Sequence, residues 1–223
     1  MRTITIKGRG KSVKDPDLAI INISVSIVKE KFDDALDSMN DLIDELKGSL
    51  QNIGFEENDL KTITFNIEQK YDYVEKGIIN KEYKNKFVGF QINHNLKLEF
   101  DFDNNKLSEV FHCLKNFDEK LEFRLHFSVK DKENMKKEVL INATENAKYK
   151  AEILAEASSA KLGDLIKIDY DWVDFNFVSR TNLDVYDDYD AYEISPRALF
   201  KTTNITPEEI EISDNVTFVW ELI

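Results

Sequence analysis

The stretch ATENAKYKAEILAEASSAKLGDLIKI, residues 143–168, decides the fold of this chain. Its first part places an alanine at every fourth position, at Ala143, Ala147, Ala151 and Ala155. On an α-helix, residues four apart lie on the same face, so these alanines form a narrow ridge with very small side chains. Such a ridge lets a sheet or a second helix approach closely. The pattern predicts a helix over about 131–158 that serves the architecture of the core.

Outward from this helix, most segments alternate apolar and polar residues, which is typical of strands with one buried face. The clearest case is 19–27, where Ala, Ile and Val alternate with Asn and Ser. The same alternation predicts further strands at 3–7, 63–73, 90–102, 121–129, 165–172 and 210–222. We expect the strands at 63–73 and 90–102 to form an antiparallel hairpin through a polar turn around Gly77.

Two segments show helical spacing instead, at 32–53 and 107–117, and Gly54 stands where a helix C-terminal cap is expected. The predicted order is therefore β-β-α-β-β-α-β-α-β-β. Long alternating strands favour antiparallel pairing with helices packed on one face, which is an α+β fold. A length of 223 residues suits a single domain, 1–223, or two closely associated subdomains.

The charge balance excludes several classes of partner. The formal net charge is −13, and no segment carries the basic patch that a nucleic-acid-binding protein requires. An anionic membrane surface is disfavoured for the same reason. No apolar run reaches the roughly 20 residues of a transmembrane helix. The chain opens on MRTITIKGRGK without an apolar signal core, which predicts a cytoplasmic protein as written, or a periplasmic or extracytoplasmic one if a leader has been removed.

The stretch 174–206 differs from the rest of the chain. It holds acidic residues interleaved with regularly spaced tyrosines: Asp184, Asp187, Asp188, Asp190 and Glu193, with Tyr186, Tyr189 and Tyr192. We interpret it as a long, solvated excursion between the last two predicted strands. Its carboxylates lack the spacing of an EF-hand loop, yet a calcium-responsive or partner-binding loop stays an open alternative.

The residues capable of chemistry form no recognisable constellation. By alternation, His94 falls on the apolar side of its strand and His126 on the polar side of a neighbouring strand, so they are not expected to bind one metal ion. We interpret His94 as a hydrogen-bonded structural histidine. Cys113 follows His112 on a predicted helix, where adjacent side chains point about 100° apart, so no thiolate–imidazole pair is expected.

Cys113 itself borders an apolar stripe, which favours a small buried hydrophobic residue over a redox thiol. The Gly8-Arg9-Gly10 segment lacks the further glycines of a phosphate loop, and we interpret it as structural punctuation after a short first strand. The sequence therefore predicts no catalytic, cofactor-binding or metal-binding residues and no cofactor.

Four blocks of the chain resemble the SIMPL-domain family, in the family's order. They are ITIKGRGKSVKDPDLAIINISV (4–25), NIGFEENDLKTITFNI (52–67), NAKYKAEILAEASSAKLGDLIKI (146–168) and ITPEEIEISDNVTFVWEL (205–222). The resemblance implies an α+β fold and ring-like homo-oligomers. The bacterial members of the family include periplasmic immunogenic proteins and proteins linked to oxidative-stress defence. It supplies no agreed catalytic residues. Many members begin with an export signal that is not found here.

Our leading hypothesis is a non-enzymatic protein that acts as a homo-oligomer, with a role in stress or at the envelope as the resemblance implies. The tyrosine-rich excursion could reach a neighbouring subunit or another protein partner, since tyrosine is enriched at interfaces. The alternative is a ligand- or peptide-binding module in which residues 174–206 form one wall of an aromatic pocket. An enzyme is the third and least favoured hypothesis, because no cluster of reactive groups stands apart from the needs of the fold.

The alanine ridge makes the first testable prediction. Ala147→Leu or Ala151→Leu should lower the free energy of unfolding by about 1–3 kcal/mol, because the larger side chain overpacks a close contact. Urea denaturation of the purified variants measures the change. If both variants are as stable as the wild type, the ridge does not face the core.

Overall fold

The computed structural model describes residues 2–76, 82–117, 121–171, 174–185 and 204–223. These residues form three α-helices and eight strands, which confirms the α+β class. The strands are β1 (Arg2–Lys14), β2 (Leu18–Lys29), β3 (Leu60–Lys76), β4 (Glu82–Asp101), β5 (Leu121–Ser128), β6 (Leu162–Asp169), β7 (Val178–Val185) and β8 (Ile210–Leu222). The helices are α1 (Phe32–Asn52), α2 (Asn104–Leu114) and α3 (Lys132–Ala157).

The strands form two antiparallel sheets. One has three strands in the order β1-β8-β6, and the other has five in the order β3-β4-β2-β5-β7. The chain also divides into two compact units. The first unit comprises Met1–Asp17, Phe127–Thr181 and Pro207–Ile223, and the second comprises Leu18–His126 and Asn182–Thr206. That the chain forms a single domain, or two closely associated subdomains, stays a prediction.

In the first unit, α3 packs on β1 and β8 through the alanine ridge, as predicted. Ala143, Ala147 and Ala151 are fully buried, and Ala155 is almost so. The ridge shares one core cluster with apolar side chains of the two strands: Ile6, Val216, Phe218 and Trp220. The rings of Phe218 and Trp220 stack with centroids 5.3 Å apart. The small side chains of the helix thus allow the large side chains of the sheet to pack closely against it.

The interpretation of Gly8 and Gly10 as punctuation after a short strand is wrong. β1 runs through both glycines to Lys14 and pairs with β8 in an unbroken register. A Cβ on Gly8 would come within 2.7 Å of the Ala147 Cβ and still closer to the Ala143 carbonyl oxygen. At Gly10 it would lie 2.7 Å from the Ala143 amide nitrogen. The glycines are therefore the sheet side of the close contact whose helix side is the alanine ridge.

In the second unit, α1 and α2 contribute the helical layer of the core. The buried side of α1 consists of Ala35, Met39, Leu42, Ile43, Leu46 and Leu50, and this helix packs on β2 and β4. Gly54 follows the helix with a φ of +91°, a left-handed conformation that favours glycine. At the start of α2, the Asp103 carboxylate accepts hydrogen bonds from the amides of Asn105 and Lys106 at 2.9 and 3.0 Å.

The predicted hairpin is confirmed, and it is longer than expected. β3 pairs with β4 from Leu60↔Leu98 to Lys76↔Glu82, whereas the turn around Gly77 lies outside the described residues. β2 pairs with β4 only as far as Lys29↔Phe90. The β3–β4 pair therefore continues past the end of β2 as a two-stranded ribbon, formed by residues 70–76 and 82–89.

The stretch 174–206 is not a continuous loop. Its residues Val178–Val185 form β7, which lies next to β5 at the edge of the five-stranded sheet. Alternation did not reveal this strand because its sequence, VSRTNLDV, has few apolar residues. Asp184 lies near the end of β7. The remaining acidic residues and the three tyrosines lie outside the described residues, so the calcium and partner interpretations stay predictions.

Two glycine-to-alanine variants, one inside and one outside the contact between β1 and α3, should change the stability of the protein in opposite directions. Gly10→Ala should lower the free energy of unfolding by about 1–3 kcal/mol, because the new methyl group meets the backbone of α3. Gly48→Ala is the matched control: nothing lies within 4 Å of the new Cβ inside α1. This control should raise stability by about 0.5–1 kcal/mol. Urea denaturation measures both, and a neutral Gly10→Ala would contradict the close approach.

Candidate interaction surface

The three histidines lie on three different elements of the structure. His94 is on β4 and 9% exposed, His112 is on the exposed side of α2, and His126 is half-buried on β5. Within the part of the chain that the structure describes, no three His, Cys, Asp or Glu residues are grouped so that they could hold a metal ion. The expected absence of catalytic and cofactor-binding residues stays a prediction.

His94 has the surroundings of a structural histidine. Its Nε2 lies 2.8 Å from the Thr62 hydroxyl, and its ring meets the Phe65 ring edge-on with centroids 5.0 Å apart. Nδ1 is buried and has no hydrogen-bond partner among the described residues. Burial, and then the positive charge of Lys47, lowers the pKa of His94 below its ordinary value. The neutral ring is therefore the form that this position favours.

Cys113 is similarly a packing residue. It is 7% exposed on α2, and burial raises the pKa of its thiol. A reactive cysteine needs an accessible thiolate in an electropositive setting. The neighbouring His112 faces solvent instead of pairing with the thiol. These surroundings fit the interpretation of Cys113 as a small buried hydrophobic residue.

Large apolar side chains face solvent at several places in the described structure, and one group of them lies on the β3–β4 hairpin. We call this set the β3 surface; its members and exposed fractions are Phe65 41%, Ile67 38%, Tyr71 47% and Phe87 43%. The register opposes Phe65 to His94, Ile67 to Ile92 and Tyr71 to Phe87. Directly opposed residues share a face of the sheet, so the four side chains lie on one face.

Aromatic contacts connect the β3 surface to the start of α1. The Tyr71 and Phe87 ring centroids are 5.6 Å apart, and those of Phe87 and Phe90 are 5.5 Å apart. Phe32, itself 41% exposed at the first position of α1, meets Phe90 at 5.7 Å. All these pairs are edge-to-face, a favourable geometry for aromatic rings. An ordered aromatic surface, and not a set of scattered apolar residues, is thus open to solvent.

The opposite face of the same sheet is polar and hydrogen-bonded. The Asn95 amide donates to the Thr64 hydroxyl at 2.7 Å, and the Gln91 amide donates to the Ser26 hydroxyl at 3.0 Å. The Ser26 hydroxyl in turn donates to Asn93 Oδ1 at 2.8 Å. The hairpin therefore has two distinct faces, and β3 forms the edge between them.

Comparison with models of known protein families shows to which family the chain belongs. The model of the SIMPL family, described as proteins of unknown function (DUF541), matches residues 4–220. The chain belongs to the SIMPL family. The resemblance in the sequence is thereby confirmed over nearly the whole length. None of the curated proteins matches the chain.

This SIMPL chain also contains a polar groove in its second unit, with a volume of about 330 Å³. Its polar lining comes from four strands: Asn22, Ser24, Thr64, Asn95, Glu122, Arg124 and His126. Such a groove offers amide and hydroxyl groups to a ligand, and Phe123 adds an aromatic side chain to its lining. Most of residues 174–206 lie outside the described residues, so the aromatic wall expected from them stays a prediction. Among the described helices, none combines the length and the apolar character needed to cross a membrane.

The sequence revealed the strands of the β3 surface but not its exposure. Alternation at 63–73 indicated a buried apolar face. The structure places β3 at the edge of the sheet, however, and α1 packs on β2 and β4 instead. Strand order is not encoded in alternation, so the exposure could not be deduced. The one signal of exposure in the sequence was the length of the alternating segments, because a strand extends further than a helix of the same number of residues.

His94 makes the stability of the SIMPL fold sensitive to pH. Because its pKa is lowered in the folded protein from 6.5, the unfolded chain binds more protons just below that pH. The free energy of unfolding should therefore fall as pH drops below about 6.5. His94→Gln should flatten this slope, with His112→Gln as a control for the loss of a histidine. Urea denaturation between pH 5 and 7.5 measures it, and equal slopes in all three proteins would contradict the assignment.

Proposed function

We propose that this protein is a non-enzymatic SIMPL protein that acts as a homo-oligomer, and that its copies associate through the β3 surface. The observation that supports the proposal is the exposure of four large apolar side chains beside an open strand edge. Contiguous apolar surface that is open to water marks an interaction site. An uncovered strand edge does so as well, because its backbone groups are ready to pair.

The energetics favour an apolar contact over an electrostatic one. Burial of apolar surface contributes roughly 25 cal/mol per Å², so the four partly exposed side chains of the β3 surface offer a substantial driving force. The net charge of −13, in contrast, makes identical copies repel one another over long distances. Salt screens this repulsion and leaves the apolar contact intact. Association should therefore strengthen as the salt concentration rises toward physiological values.

The polar groove favours a second candidate, the binding of a small polar ligand. Its amide and hydroxyl groups would recognise a hydroxyl-rich molecule through hydrogen bonds. The two functions respond to different variants. Asn95→Leu should abolish binding of such a ligand and leave self-association unchanged. A role in stress or at the envelope, a protein partner of the acidic stretch, and the compartment stay predictions of the family resemblance and the sequence.

Self-association is tested by size-exclusion chromatography with light scattering over a range of protein concentrations. We expect a mass that is a multiple of the 26.0 kDa of one chain. Tyr71→Lys should weaken association at least tenfold, because it places a charge within the apolar contact. Tyr149→Lys is the matched control, since Tyr149 is 65% exposed on α3 and is remote in sequence from β3. A wild-type protein that stays monomeric up to high micromolar concentration would overturn the proposal.

A further inference from the structure

We propose that the contact between two copies is an antiparallel pairing of β3 with β3, centred on Gln69, so that two five-stranded sheets join into one. This inference rests on the proposed self-association and names its geometry. The partner that the edge fits is a second copy of this chain. Its support comes from the free edge, the length of the hairpin, the two faces of the sheet and the charges along the strand.

The edge of β3 is open and regular where a partner would bind. The strand has β4 on one side and no described strand on the other. β3 has one β-bulge, at Ile63 near its start. Thr62 pairs with Leu96 and Thr64 with the next residue of β4, Asn95, so Ile63 has no directly opposed residue on β4. The second irregularity adds a residue to β4 and leaves β3 continuous from Thr64 to Lys76. Proline, which protects many natural edges, does not occur in residues 60–76.

The two-stranded ribbon beyond the end of β2 is the part of the hairpin that most needs support. A hairpin of two strands alone is marginally stable in water. Pairing about Gln69 brings residues 70–74 of one copy against residues 64–68 of the other, and it stops short of the extra residue Ile63. Residues 64–68 pair with the part of β4 that is also held by β2. Each copy thereby adds a third strand to the ribbon of its partner.

The faces of the two sheets match in this arrangement. A two-fold axis perpendicular to an antiparallel pair keeps equivalent faces on the same side of the joined sheet. Ile67 of one copy then lies opposite Tyr71 of the other, and the two β3 surfaces become continuous. The hydrogen-bonded polar faces, which include Asn93 and Asn95, join on the other side. No apolar side chain has to cross to the polar face.

The charges select the register. With Gln69 on the axis, Glu68 of each copy opposes Lys70 of the other, which gives two attractive pairs. A shift of the axis by one residue opposes either Glu68 or Lys70 to its own copy, and like charges in direct opposition are destabilising. A shift by two residues, to Tyr71, also opposes opposite charges, Lys70 to Asp72. It pairs residues 70–72 of the two ribbons with each other, however, instead of with the part of β3 beside the β4 segment that β2 holds. The register centred on Gln69 thus combines opposite charges with support for each ribbon from residues 64–68 of the partner.

Charge reversal tests this register. Glu68→Lys alone, or Lys70→Glu alone, creates like-charge pairs across the axis and should weaken association about tenfold or more. The double variant E68K/K70E restores both pairs and should associate like the wild type. An equimolar mixture of the two single variants should form heterodimers more tightly than either forms homodimers, because every opposed pair in the mixture is then complementary. Lys61→Glu, outside the overlap, is the control and should leave association unchanged.

Cross-linking tests the axis independently. Gln69→Cys places two thiols in direct opposition, within the Cα separation that a disulfide spans, so mild oxidation should yield a covalent dimer. Asp72→Cys is the control, because its two copies would lie about 20 Å apart along the strands. The native Cys113 is buried and should not interfere.

The outcomes separate this inference from the proposed function. A monomeric wild type overturns both. A wild type that associates, with single charge variants that associate equally well and no cross-link in the Gln69→Cys variant, overturns the β3 pairing and leaves self-association in place. Loss of association in both single variants, recovery in the double variant and a cross-link at position 69 alone establish the pairing.

Discussion

The close approach of α3 to β1 is the contact on which the rest of the first unit depends. Two glycines on the strand meet the alanine ridge and the backbone of the helix, and no Cβ fits between them. Glycine in a strand costs roughly 0.5–1 kcal/mol relative to alanine, so the arrangement needs a compensating gain. The gain is the burial of Phe218 and Trp220, which pack around the ridge and are largely removed from water.

This contact also shows what a sequence can and cannot predict. The alanine spacing is a local pattern, so the helix and its buried face followed from the sequence. The glycines are the other half of the same contact, but their partners lie more than a hundred positions away in the chain. Without that partner, Gly8 and Gly10 resembled a break between strands. A residue that is defined by a distant neighbour is therefore misread when only its own surroundings are considered.

The same limit applies to the candidate site. The hairpin of β3 and β4 was predictable, because strict alternation over long segments matches the two-residue period of a strand and not the period of a helix. The burial of His94 and Cys113 followed from their positions on apolar faces. The β7 strand was missed because its pairing depends on the tertiary structure and not on its own composition. Exposure of Phe65, Ile67 and Tyr71 depends on strand order, which alternation does not contain.

The exposed hairpin follows from a mismatch of lengths within the second unit. A helix of 21 residues, such as α1, is about 31 Å long, because each residue advances 1.5 Å. A strand of 20 residues, such as β4, extends to roughly 65 Å. The helix therefore covers about half of the hairpin, and α2, with 11 residues, is shorter still. The sequence continues its apolar alternation along the hairpin past the ends of these helices. Apolar side chains in that part of the hairpin therefore stay uncovered by α1 and α2. Exposed apolar surface of this kind favours association, and the strand edge with its Glu68 and Lys70 is the reason why we propose a second copy of the same protein as the partner.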